Sequence, residues 1–122
     1  MVTKIVFQRF YGTEPTEINI EDINWRLAND TKLHKYMYPR ARVVYKINGV
    51  SEMNGNEELL FIGYSKQLVT TLLHFINKKA TLFDGYKKFT IHYLVIVQES
   101  ELELIANQII EFYKPPFKEC DI

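Results

Sequence analysis

Between Lys32 and Lys46 the sequence "KLHKYMYPRARVVYK" sets Lys32, Lys35, Arg40, Arg42 and Lys46 among three tyrosines, with no acid between them. Cationic side chains neutralise phosphates and aromatic faces stack on bases, so this composition suits a nucleic-acid strand. The same composition also suits a plain solvated surface, and both readings stand at this point. A second cluster, Lys78, Lys79, Lys87 and Lys88, brackets a loop containing Asp84 and reads first as a solubilising surface. Against both stand Glu99, Glu101 and Glu103, which would repel a phosphate backbone laid across that end of the chain. Other reactive types are sparse. Cys120 is the lone cysteine, unable to close an internal disulfide and without metal-ligand spacing. His34 and His92 have no ligand partners at useful spacing.

The chain's 122 residues make one domain, and its formal charge is zero. Nothing global therefore argues for a nucleic-acid or membrane partner, and any such binding must come from a local patch. Hydrophobic residues at 47% and charged residues at 25% suit a globular protein. No apolar run reaches membrane-spanning length, and "MVTKIVFQRF" is too short and charged for a signal peptide. The expectation is a cytoplasmic protein with no membrane partner.

The elements that would position these groups follow from periodicity. Lys4 to Phe10 alternates weakly, as a short strand does, and Gly12 and Pro15 mark a loop. Asn19 is placed to cap a helix with Ile20, Ile23 and Leu27 on one face, ending near Asn29 and Asp30. "ARVVYKI" predicts a strand, "NGVSEMNGNEE" a hairpin loop with two Asn-Gly pairs, and "LLFIGYS" the returning strand. Ser65 would cap a helix over 66–78 with a broad apolar band. "KKFTIHYLVIV" predicts another strand. Ser100 and Glu103 have capping-box spacing before a helix with Leu102, Ile105, Ala106, Ile109 and Tyr113 on one stripe, stopped by Pro115 and Pro116.

This order, strand, strand, helix, strand, helix, together with its motifs resembles the GIY-YIG nuclease domain. The match is carried by "VVY" (43–45), "FIG" (61–63), "YSKQL" (64–68) and "ANQIIEFYKPPF" (106–117). It implies an α/β (α+β) fold: a small three-stranded antiparallel sheet flanked by helices over 41–118. Residues 1–40 would then be an N-terminal strand and helix extension, and 119–122 a tail.

The resemblance also implies a site. In the family a strand tyrosine helps activate water, an arginine on the first helix steadies the phosphate, and a glutamate on the last helix binds a divalent metal. Tyr45 matches the first tyrosine, and His74 lies near a helix position that often carries His or Tyr. Strict counting puts Phe75 at that position instead. The second tyrosine is Phe61, the arginine position falls on Thr71, the glutamate position on Ala106, and the terminal asparagine is Lys118. Alanine cannot ligate a metal, and a threonine hydroxyl cannot imitate a guanidinium clamp on phosphate. Glu103, one helical turn before Ala106, is the single substitute carboxylate, though its spacing from Ser100 reads better as a cap.

The expected function is therefore a catalytically degenerate domain that binds DNA or RNA, or positions a partner on it. Lys32, Lys35, Arg40, Arg42, Lys46 and Lys66 would be its nucleic-acid-binding residues, and no cofactor is expected. Two alternatives remain open: an active Mg²⁺-dependent endonuclease using substitute residues, and a protein-interaction module with no nucleic-acid role.

Overall fold

A computed structural model describes residues 2–28, 42–67 and 83–117. Residues 68–78 of the predicted helix over 66–78 lie outside them, as do Lys32, Lys35, Arg40, Thr71, His74 and Cys120.

The α+β class holds: two antiparallel sheets and one helix make up the described chain. The larger sheet is built on β4 (Val43–Ser51) and β5 (Glu57–Ser65), joined as a hairpin, with β6 (Tyr86–Val95) on the other side of β4. A fourth strand not expected from the sequence, β3 (Arg26–Leu27), pairs with β6 through Arg26 opposite Tyr93 and Leu27 opposite His92. The order is β3-β6-β4-β5. Successive side chains alternate between faces, and the alternation sorts the core in two. Val43, Tyr45 and Ile47 of β4 pack with Phe61, Ile91 and Tyr93 on one face. Val44 and Ile62 pack on the other, under helix α1 (Glu99–Tyr113).

The smaller sheet pairs β1 (Lys4–Phe7) with β2 (Thr16–Asn19). Its Ile5 and Phe7 are buried while Lys4 and Val6 point outward, and the inward pair joins the core beneath α1. Residues near the N-terminus thus share a core with the last helix.

Three local expectations are corrected. Where a helix was predicted after Asn19, only a single 3-10 turn forms, Ile20–Asp22, and the chain is extended again at Ile23. Ile20 and Ile23 are buried as that helix pattern required, but Leu27 is 52% exposed. The reason is tertiary: the backbone finds a partner in β6, where the Ala28 N–H donates to the Ile91 carbonyl at 2.8 Å. The predicted hairpin loop is also shorter. Asn48-Gly49 lies inside β4 at an irregularity in its register with both neighbours, and Asn54-Gly55 alone makes the turn, with Gly55 at φ 72°. A Cβ at Gly49 would come within 2.8 Å of Leu60 and 3.1 Å of Phe89, so close packing accounts for that glycine.

The third correction concerns α1. Its N-cap is Gln98, without a side-chain hydrogen bond to the helix end, and Ser100 and Glu103 lie inside the helix. The capping box is not made. Glu99 and Glu101 in the first turn complement the helix dipole instead, and the Glu101 carboxylate also accepts the Gln8 N–H at 3.2 Å. The apolar stripe is as predicted, with Leu102, Ile105, Ala106 and Ile109 buried. The helix ends two residues before Pro115, with Lys114 between them left-handed at φ 49° and its N–H on the Ile110 carbonyl.

Candidate functional site

Tyr45 stands in the middle of β4, only 5% exposed, with its ring 6.0 Å from that of Phe61. Both rings lean over Gly63, the cross-strand partner of Tyr45. A Cβ there would lie 2.7 Å from the Tyr45 hydroxyl and 2.8 Å from Phe61. The glycine of "FIG" is thus explained by ring packing, and the tyrosine hydroxyl is sunk among side chains.

Ala106 is fully buried, but in the core under α1, with Val44 and Ile62 rather than with Tyr45 and Phe61. The sheet separates the two positions. A carboxylate at 106 would point into packed aliphatic side chains, away from the tyrosine. Glu103 is exposed on α1 and has no part in the Tyr45 face. Among the described residues no group of three or more His, Cys, Asp or Glu is arranged to hold a metal. Among the described residues the donor set does not fit a divalent ion between Tyr45 and the last helix.

The expected cations that are described are each engaged within the chain. Arg42, just before β4, donates from Nη2 to the Val97 carbonyl at 2.6 Å. Lys66 pairs with Glu99 at 2.5 Å, which raises the lysine pKa and lowers that of the glutamate. Both groups are exposed, so the pair adds little stability. Lys46 lies on the helix face, 4.8 Å above the Trp25 ring and 5.9 Å from the Tyr113 ring. Burial lowers its pKa, and Glu57 opposes the shift.

His92, opposite Lys46 across the ladder, is shifted down by burial and then by the Lys46 ammonium, with Glu57 opposing. Around this stripe Trp25 Nε1, Asn48 Oδ1 and His92 Nδ1 are buried without a hydrogen-bond partner. On the sheet's other side Tyr86 donates to Glu58 at 2.9 Å, which raises the phenol pKa.

A different pair of cations was missed. Beyond the two-residue β3, the edge of β6 at Leu94 and Val95 borders a cavity of about 300 Å³. Its floor includes Phe7 and Tyr93, and its rim holds Arg9, Phe10, Asn24 and Arg26. Arg9 sits 6.0 Å from the Phe10 ring. Neither arginine is paired with a carboxylate among the described residues. Phe10 is 67% exposed and the next residue, Tyr11, 80%. The signal was in the sequence as "QRFY" and "NWR", each an arginine beside an aromatic residue, but tertiary packing was needed to bring them to one cavity across 17 positions.

No family model, curated protein or solved structure matches this chain. The GIY-YIG likeness rests on the motifs alone. No helix among the described residues is long and apolar enough to cross a membrane.

Proposed function

We propose that this chain is a GIY-YIG-like domain that has lost cleavage and acts by holding nucleic acid, or by positioning a partner on it. One observation carries the loss of cleavage: Tyr45 and Ala106 are buried on opposite faces of one sheet. Hydrolysis of a phosphodiester needs an activated water and charge stabilisation converging on one phosphorus. A tyrosine and a methyl group separated by a sheet supply neither.

Support for the scaffold comes from the antiparallel run β5-β4-β6 with α1 against one face, the arrangement the motifs call for. Support for a binding role comes from basic and aromatic side chains: the run Lys32, Lys35, Arg40, and Arg9 and Arg26, unpaired with a carboxylate among the described residues, beside exposed Phe10. A neutral total charge limits the electrostatic contribution, so affinity for a strand should be modest at physiological ionic strength and fall with salt only through the few local cation–phosphate contacts.

The test joins cleavage and binding. Supercoiled DNA incubated with the protein and Mg²⁺ or Mn²⁺ should stay intact. Single-stranded DNA or RNA should bind with an affinity that drops as salt rises and as Lys35→Ala and Arg40→Ala are introduced. Chelator-sensitive nicking that disappears in Glu103→Ala would establish an active nuclease instead. Salt-insensitive absence of binding would leave the protein-interaction reading, which the exposed Phe10 and Tyr11 favour.

A further inference from the structure

The groove between the end of β1, the Asn24–Arg26 segment and the open edge of β6 is independent of the nuclease motifs. Its volume, about 300 Å³, is at the lower end of what small-molecule sites use. Of the residues lining it, Arg9 and Arg26 are the only charged ones, and both are cations. An unpaired guanidinium is a planar fork of donors that matches a phosphate in two-point fashion. Beside the pair stand Phe10, largely exposed, and the Asn24 side chain, which offers both a donor and an acceptor.

Two cations, an aromatic face and an amide on the rim of one cavity make a particular chemical request. The ligand should be dianionic at one end, flat and π-bearing at the other, and edged with hydrogen-bonding groups. We propose that this groove binds a nucleotide, with the phosphate between Arg9 and Arg26 and the base against Phe10. The nucleotide can be free or can belong to a single strand. In the second case the inference rests on the nucleic-acid reading above and places a strand along the β6 edge. Exposed Val95, at 37%, continues the groove's apolar wall toward that strand.

The experiment titrates the full chain with thymidine monophosphate, thymidine, and a short labelled oligothymidylate. Wild-type protein is expected to bind the monophosphate and the oligonucleotide, and thymidine at least about tenfold more weakly. Arg9→Ala and Arg26→Ala, each removing one charged clamp, should lower affinity about tenfold. Phe10→Ala should weaken nucleotide binding but leave the affinity for inorganic phosphate unchanged. Lys4→Ala, a cation outside the groove, should change nothing. Circular dichroism checks the fold of each variant, and Arg26→Lys, which keeps the charge, should recover part of the affinity.

The outcomes separate the two claims. Arginine-dependent binding of the oligonucleotide alone assigns the groove to a strand. Arginine-dependent binding of the monophosphate alone keeps the groove and removes the nucleic-acid role. Oligonucleotide binding untouched by both arginine variants overturns the groove and leaves that role standing. Binding of neither overturns both.

Discussion

The two faces of the larger sheet are built from neighbouring residues of the same strands yet do different work. Tyr45 and Phe61 face one way, Val44 and Ile62 the other. The first face is aromatic and closes over a glycine. The second is aliphatic under α1 and turns polar past that helix's end, where Lys46, Trp25 and His92 gather. A catalytic centre that draws on both β4 and the last helix needs its contributions on one side. Here the parity of a strand puts Tyr45 and Ala106 on two, and for the proposed reading that weighs more than the loss of any single side chain.

Ala106→Glu is the strongest way to break this comparison. It returns the family's residue type to its position, and the two-face arrangement says it must bury an unpaired carboxylate among Ile105, Ile109 and Val44. The expected cost is about 3–5 kcal/mol, read by chemical denaturation, with no gain of Mg²⁺-dependent cleavage. A variant that folds at full stability and nicks DNA would show that position 106 reaches the tyrosine after all.

Gly63→Ala probes the other face. The added methyl meets the rings of Tyr45 and Phe61 at under 3 Å, and overpacking of this kind costs about 1–3 kcal/mol. Adding Tyr45→Phe removes the 2.7 Å contact with the hydroxyl but leaves the ring contacts at 2.8 Å. The double variant should therefore regain only part of the loss in unfolding free energy. Full recovery would mean that the hydroxyl alone sets the glycine.

A smaller effect sharpens the polar end of the helix face. His92 is held below its usual pKa in the folded state, so the unfolded chain takes up a proton first as pH falls. Stability from this group is fully present above the ordinary histidine value and declines as pH drops toward the folded-state pKa. His92→Gln should flatten the decline of unfolding free energy between neutral and mildly acidic pH. An unchanged slope would place the pH response elsewhere. The smallest effect is expected for Lys66→Ala, whose exposed partner Glu99 is screened by water and salt. Its melting temperature should match that of the parent within error.

Legibility followed the range of the interactions. Val43 to Ile47 and the stripe at 102, 105, 106 and 109 announce themselves because period and burial agree locally. Ile20 and Ile23 carry helical spacing, but so short a segment yields to backbone pairing with β6, which no local pattern can show. Ser100 and Glu103 have cap spacing two residues too late, since the N-cap is Gln98 and the first-turn acids already suit the dipole. Most of the basic run, Lys32, Lys35 and Arg40, lies outside the described residues. Its described members, Arg42 and Lys46, are occupied by a carbonyl and by aromatic rings. Arg9 and Arg26, unpaired with a carboxylate among the described residues, instead came from two segments that only tertiary packing brings to one cavity.

β5 forms the outer border of the larger sheet, and borders invite other chains to add themselves. After α1 the polypeptide crosses that border: the Phe117 N–H donates to the Leu60 carbonyl at 3.1 Å, and its ring stands edge-on to Phe83 and Tyr86. Among the described residues these contacts act as a guard rail, covering one rung of the ladder. Trimming the chain before Phe117 would bare that rung together with the aromatic rim behind it, and self-association, rather than simple unfolding, would be the first symptom.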